Sequence, residues 1–568
     1  MSGKEPKVGK KTPKKIFKEL KRPLIGGGIL ASIAIVGILG GIFIINTSEI
    51  KKGGTFIMGY SGGLDRIDPL DLGHNDPMII SQIAEPLFTE LLNQTNNYHE
   101  NVPYLAKQGI WSSDGLNFTC TLREGIEFHD KTQFNASAVK WNFDRLQKLL
   151  INMTYPDMWY HSDGTQIINR TEIIDTFTIR FILNKPFVPF RSLLTSPQAF
   201  ILSPASTPKD RFLDVFTEKV IGTGPYLYES NVVYINTTIK VNKNYWGKPK
   251  PIIDKFIFLP LSYKESNERF FARETDYAAG NDSYFEEYAN DPTIVVDDFI
   301  GLEFDYLGMN NKRINVTMRK SISYALNYTS ILKCQDSRSQ GSNIRCRSPL
   351  PLGTMYSNWE DFDVPIYNIT KARETLKNAK WPGTKDLTAN NNITIGNEWE
   401  LIANSSTPLE IYNITYVIGY DSIVMDLPPI ITENLKQIGI KIETYPLTWI
   451  EHWDKILMGK TDLWWIGWRI EYNDPANTID ALFSCKGDGF NNIQQTNDTL
   501  IQQWIEQGVI ESNPTIRAQI YYNIQERLIE EIYPLIWLYS PVWYDIYRSN
   551  LRGWGYWGAG AFKNLYFV

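Results

Sequence analysis

Residues 428–445 read Pro428-Pro429-Ile430-Ile431-Thr432-Glu433-Asn434-Leu435-Lys436-Gln437-Ile438-Gly439-Ile440-Lys441-Ile442-Glu443-Thr444-Tyr445. Ile431, Leu435 and Ile438 recur at helical spacing, so 428–438 is predicted to be an amphipathic helix. Gly439 then leads into 440–445, where apolar and polar residues alternate as they do along a strand. Helix, glycine and strand in that order make an α/β unit. The same mixture continues in both directions. Downstream, 515–531 reads as a helix and 535–539 as a buried strand. Upstream, strands are expected at 177–183, 237–241, 255–259 and 303–309, the last followed by a helix over 316–326. Nearer the start, 55–58 is a β-branched strand entering a glycine-rich turn at 59–63, and 79–92 has helical spacing. The stretch 109–128 alternates around Asp114-Gly115, a hairpin signal, and a helix capped by Asn135 follows over 136–150. The predicted class is therefore α/β.

A chain of 568 residues exceeds what one core organises, so two or three lobes are expected. Its 17 Trp, 31 Tyr and 27 Phe supply more flat apolar surface than a core needs, and some of those rings are candidates to line a cavity. Charge is distributed unevenly. Residues 1–22 carry nine Lys/Arg against two Glu, a net of +7; the whole chain is −6, so the remainder carries −13. An acidic body of that kind excludes nucleic acid as a partner.

Directly after the basic tail (1–23), residues 24–45 hold no charged side chain. As a helix this run would extend roughly 30 Å, the thickness of a bilayer's hydrocarbon core. It is longer than the apolar stretch of a cleavable signal peptide, and 46–50 offers no small-residue cleavage site, so the reading is an uncleaved transmembrane anchor. The lysines before it place the tail in the cytoplasm and everything after Ile45 outside the cell. Fifteen Asn-x-Ser/Thr sequons point to the same side of the membrane, since glycosylation at such sites belongs to exposed, exported chains. Of the four cysteines, Cys334 and Cys346 close a short polar loop and are a plausible disulfide outside the membrane. No CxxC occurs and no His lies near the cysteines at ligand spacing, which argues against zinc; no metal or other cofactor is expected.

Several segments, in order, resemble the dipeptide, oligopeptide and nickel solute-binding proteins of ABC importers. Gly53-Gly54-Thr55 followed by Asp65-Arg66-Ile67-Asp68-Pro69 is similar to the family's opening strand and D-x-x-D-P turn. Leu122-Arg123-Glu124-Gly125-Ile126-Glu127-Phe128-His129-Asp130 is similar to its L-R-x-G-V-x-F-H-D hairpin. Glu85-Pro86-Leu87, Gly222-Thr223-Gly224-Pro225-Tyr226, Asn244-Tyr245-Trp246-Gly247 and Gly467 to Pro475 continue the series, which covers nearly all of 53–550. The resemblance implies a two-lobed, type II periplasmic-binding-protein clamshell with an inserted subdomain. Mapped onto this chain, the first lobe is 51–305 with 542–568, the insertion about 96–215, and the second lobe 306–541. The implied partners are a peptide or similar small solute, the permease subunits and their ATPases, with the membrane engaged through the anchor; no catalysis is implied. Such a binder works by population shift, a ligand being gripped by both lobes only when they close.

In peptide-binding members an Asp pairs with the ligand's α-ammonium group, and Glu471 stands at that position here. A carboxylate is the right chemistry, displaced by about one C–C bond, roughly 1.5 Å, relative to Asp. Trp468, Tyr472 and Tyr60 are candidates to stack on ligand, as is Trp465; the alternative is that these tryptophans pack the second lobe. Ser61 neighbours Tyr60 in the same glycine-rich turn. Asp474 is a candidate ligand contact, with a turn-and-cap role as its rival, and Gly222 with Thr223 either shapes a tight turn or faces ligand. Nickel is disfavoured because no His lies between His161 and His452.

Three other functions compete. Gly59-Tyr60-Ser61-Gly62-Gly63 fits the G-x-S-x-G nucleophile elbow of a serine hydrolase, but the residues after it read as a turn where that motif needs a helix. The fold would also serve an oligosaccharide-binding protein, or a surface receptor without a transporter.

Overall fold

The computed structural model describes residues 50–568 except 61–64, 72–75, 94–97, 154–156, 280–284, 337–342, 360, 419–426, 487–491 and 555–560. Residues 50–568 form one compact unit. The predicted anchor at 24–45 lies outside the described residues, as does Ser61; among those described, no helix is long and apolar enough to cross a membrane.

The opening stretch folds as its pattern dictates. Leu427–Lys436 is a helix, Gly439 turns the chain at a φ of +78°, where a Cβ would be strained, and Ile440–Leu447 is a strand. Ile431, Leu435, Ile438 and Ile440 are all buried in one cluster, so helix and strand close on a shared apolar face. That strand edges a six-stranded sheet whose order is Ile344–Arg345, Leu535–Ser540, Glu303–Met309, Leu463–Arg469, Glu410–Val417, Ile440–Leu447. Both faces are covered. Along Leu463–Arg469, Leu463 and Trp465 join one core while Trp464, Ile466 and Trp468 join the other, the alternation a pleated strand imposes.

A second, seven-stranded sheet runs Ile294–Ile300, Val542–Arg548, Tyr277–Ala279, Thr55–Tyr60, Lys255–Pro260, Asn236–Val241, Tyr226–Val232. The chain leaves it after Ile300 to enter the six-stranded sheet at Glu303, and returns between Ser540 and Val542. A four-stranded sheet of Ala106–Trp111, Asn117–Leu122, Thr178–Leu183 and Ile168–Asp175 has its own core, with Phe118, Phe143, Phe181 and Phe190 at its centre.

Two expectations are corrected. The helix predicted over 79–92 is confined to Pro77–Ile80, and Phe88–Asn93 is instead a strand paired antiparallel with Tyr98–Pro103. Pro86 interrupts the helical pattern and pushes its predecessor into extended backbone. The Cys334–Cys346 disulfide is not formed: Cys346 is a buried thiol beneath Leu535–Ser540, donating to the Ser348 carbonyl at 3.2 Å. Its burial pushes the thiol pKa up to about 12, so it persists as a small apolar core residue.

Candidate functional site

The strand Leu463–Arg469 ends in a short loop, 470–474, that feeds the helix Pro475–Phe483. Each loop residue is fixed separately. The Ile470 N–H donates to Leu302 O at 3.1 Å, which ties the loop to the crossing between the two large sheets. The Glu471 N–H donates to Asn477 Oδ1 at 3.2 Å. Asn473 Oδ1 accepts from the Met355 N–H at 3.2 Å, and Asn473 Nδ2 donates to Gly353 O at 3.4 Å. Asp474 caps the helix by accepting the Ala476 N–H, with Pro475 suited to the first helical position. Both Asp474 oxygens also accept from Arg517, at 2.7 Å each.

Glu471 is left free to face solvent. Its side chain is exposed, yet enough protein surrounds it that desolvation raises its carboxyl pKa, against the pull of the Arg469 charge. A carboxylate reached by water but poorly hydrated is what a cleft wall provides. The antiparallel register sets Glu303 opposite Arg469 and Asp305 opposite Gly467. Arg469 Nε donates to Glu303 at 3.2 Å, and Trp543 Nε1 donates to the same carboxylate. Asp305 is partly exposed; burial pushes its pKa to about 7, with the neighbouring Glu303 charge adding and a Tyr539 hydrogen bond opposing. Glu303 and Glu471 thus flank Arg469 at the end of the six-stranded sheet, with Asp305 beside Glu303 and opposite Gly467. Reasoning from sequence found Glu471 and missed the other two, because only strand pairing brings residues 303–305 beside 467–471.

The remaining candidates separate. Trp468 is half-buried on the same core as Phe304, opposite it across the strands, and its Nε1 has no hydrogen-bond partner among the described residues. Tyr472 is 5 % exposed and packs into the core of the four-stranded sheet. Asp474 is buried and fully engaged by Arg517 and the helix cap, so it holds the loop and does not present its carboxylate to the cleft. Thr223 is buried and donates to Glu85 Oε2 at 2.8 Å; Glu85 also accepts from Tyr245 OH at 2.7 Å and Trp246 Nε1 at 2.8 Å. Burial raises the Glu85 pKa and these three donors oppose the rise. A Cβ on Gly222 would lie 2.6 Å from Ala84 Cα and closer still to Ile83 O, so this glycine exists to let two backbones touch. Gly222 and Thr223 are therefore structural, not wall residues. Tyr60 ends its strand paired with Pro260; its side chain lies outside the described residues.

Two sheets joined by two adjacent crossings, with an acidic cluster where they meet, define a two-lobed solute-binding fold of the periplasmic-binding-protein type. Residues 100–490 match the family of bacterial extracellular solute-binding proteins, family 5 (middle), and the chain belongs to it. Among its relatives, di/tripeptide-binding protein 1 of Pseudomonas aeruginosa is 24 % identical over 468 residues, 79 % of this chain and 82 % of that protein. The periplasmic binding protein DppA of Helicobacter pylori, solved with the peptide STSA, superposes with a TM-score of 0.71 at 22 % identity, covering 91 % of this chain and 98 % of that one. NikA of Brucella suis, solved with Fe(III)-EDTA, superposes at 0.74 and 20 % identity over 90 % of this chain and all of that one.

Proposed function

We propose that this chain is the extracellular component of an ABC importer that captures di- or oligopeptides between 51–305 with 542–568 on one side and 306–541 on the other, and hands them to its permease. The observation that carries this reading is Glu471: a carboxylate accessible to water, short of hydration, and held by a loop whose every other residue is anchored. A peptide's ammonium group replaces the hydration that Glu471 lacks and favours its charged form. The relatives named for di- and tripeptides support this choice of solute.

Calorimetry with di-, tri- and longer peptides tests the proposal. A charge-assisted hydrogen bond is worth about 1.5–3 kcal/mol, so Glu471→Gln is expected to weaken peptide binding roughly ten- to a hundredfold. Binding of oligosaccharides alone, unchanged in Glu471→Gln, would replace peptide with sugar as the cargo. A serine hydrolase using Ser61 is the alternative from another class; ester or peptide turnover abolished by Ser61→Ala would establish it.

The anchor and the glycans belong to the same proposal. Their support is the uncharged run at 24–45 and the fifteen sequons. Several described sequons also sit beside large apolar side chains that stay exposed: Asn392 beside Ile393 and Ile395, Asn368 near Ile366, Asn236 beside Ile235, and Asn404 near Leu401. A covalent glycan at these places would cover surface that otherwise favours association. Fractionation of the chain's own cells, with glycopeptide mass spectrometry of the membrane pool, tests both parts.

A further inference from the structure

The loop that presents Glu471 also reaches across to the other side of the protein, and it does so with the very next residue. Tyr472 emerges from the end of the six-stranded sheet, yet its side chain belongs to the apolar core of the four-stranded sheet, among residues such as Phe190, Leu193 and Leu194. The adjoining Asn473 N–H donates at 2.9 Å to Glu90 Oε1, an oxygen that also accepts from Thr195 Oγ1 at 3.1 Å. A second seam lies nearby: the Val188 N–H donates to Val509 O at 2.8 Å, and Val509 packs on the same core as Tyr472. Farther along, Ser162 donates to Asp480 on the helix Pro475–Phe483.

On its own side Tyr472 is held rigidly. Its hydroxyl bonds with Asn477, whose Oδ1 also receives the Glu471 N–H. Asn473 is tied to Gly353 and Met355, and Asp474 to Arg517. Glu471 thus directly precedes a residue, Tyr472, whose burial comes from the core of the four-stranded region.

We infer that Tyr472 is a positioning residue: by seating in the core of the four-stranded region it holds the closed arrangement without ligand and aims the Glu471 carboxylate into the cleft, while making no ligand contact itself. Closure and recognition then share one loop, and a ligand that engages Glu471 meets a site already directed toward it. The role of Glu471 rests on the peptide reading above, but the latch does not.

The test is therefore made without ligand. X-ray scattering and FRET, with dyes on the four-stranded region and on the helix Pro514–Arg527, report the open and closed populations of the ligand-free ectodomain. Tyr472→Ala is expected to move the closed-to-open ratio roughly ten- to a hundredfold toward open, the scale set by exposing one large apolar side chain. Tyr472→Phe, which keeps the ring, restores most of the closed state. Glu90→Ala, on the opposite wall, shifts the ratio in the same direction by less. Should Tyr472→Ala not fold, the Glu90→Ala result decides alone. Unchanged ligand-free distances in Tyr472→Ala, or in Glu90→Ala where that variant decides, overturn the latch; if peptide affinity nonetheless falls, Tyr472 is a ligand contact. Failure of the peptide reading would show separately, as an absence of peptide binding in a protein whose latch still responds.

Discussion

Asp474→Asn separates the two roles that sequence allowed for this residue. Its carboxylate and the Arg517 guanidinium are 3 % and 4 % exposed and meet through two 2.7 Å hydrogen bonds. Arg517 Nε donates to Gly508 O, and its guanidinium lies 5.1 and 5.7 Å from the ring centres of Tyr521 and Tyr356. Asn keeps the volume of Asp and one oxygen to cap the Ala476 N–H, so the change removes charge and little else. A buried guanidinium is then left without its counter-charge, which costs about 3–5 kcal/mol. Asp474→Ala loses the cap as well and falls about 1 kcal/mol further. Replacing both partners, as in Asp474→Asn with Arg517→Met, recovers much of the loss, because a flexible apolar chain fits between the two tyrosines and no charge remains buried. Urea unfolding of the four proteins measures all three steps, and calorimetry on the folded fraction measures ligand. An Asp474→Asn protein that unfolds within about 1 kcal/mol of wild type, the scale of an exposed pair, but no longer binds ligand would refute the structural role and make Asp474 a ligand contact.

Closure is also expected to depend on pH through Asp480, whose pKa burial pushes to about 7. It faces Ser162 and Asp163 on one side, the latter paired with Lys185, and Glu506 with its partner Lys486 on the other; the Tyr472 and Tyr521 hydroxyls also lie close. The buried carboxyl keeps its proton to higher pH than an open one, so the docked arrangement is favoured below about pH 4, weakens as pH rises toward about 7, and is level above that. The ligand-free closed fraction measured from pH 4 to 8 should follow this course in wild type and flatten in Asp480→Asn; an unchanged slope in the variant would assign the titration elsewhere. Gly222→Ala should cost about 1–3 kcal/mol in denaturant unfolding, since the new methyl meets the backbone at Ile83 and Ala84, which cannot rotate away. Wild-type stability in that variant would mean the two backbones are not in contact.

Much of the fold was legible residue by residue. The strand at 303–309, the hairpin around Asp114-Gly115, the helix capped by Asn135 and the helix–Gly439–strand unit all stand where periodicity placed them, because each depends on neighbours within a few turns of chain. Residues 79–92 misled because apolar spacing there suited both a helix and a half-buried strand, and pairing with Tyr98–Pro103 decided between them. Glu471 could be found through resemblance to a family motif, whereas Glu303 and Asp305 could not. Their place beside Arg469 and Gly467 exists only through antiparallel register between strands about 160 residues apart, a separation that local pattern does not encode.

By itself the sequence determined the α/β class and the membership in a solute-binding family, and it singled out the loop at 467–475 as the candidate for recognition. Tertiary structure alone decided the surroundings of each residue of that loop: Asp474 is consumed by Arg517, Tyr472 by a core on the far side, and Glu471 is left exposed to solvent. The physical reason is that a side chain's chemistry is set by what desolvates it and what it pairs with, and both come from segments distant in the chain.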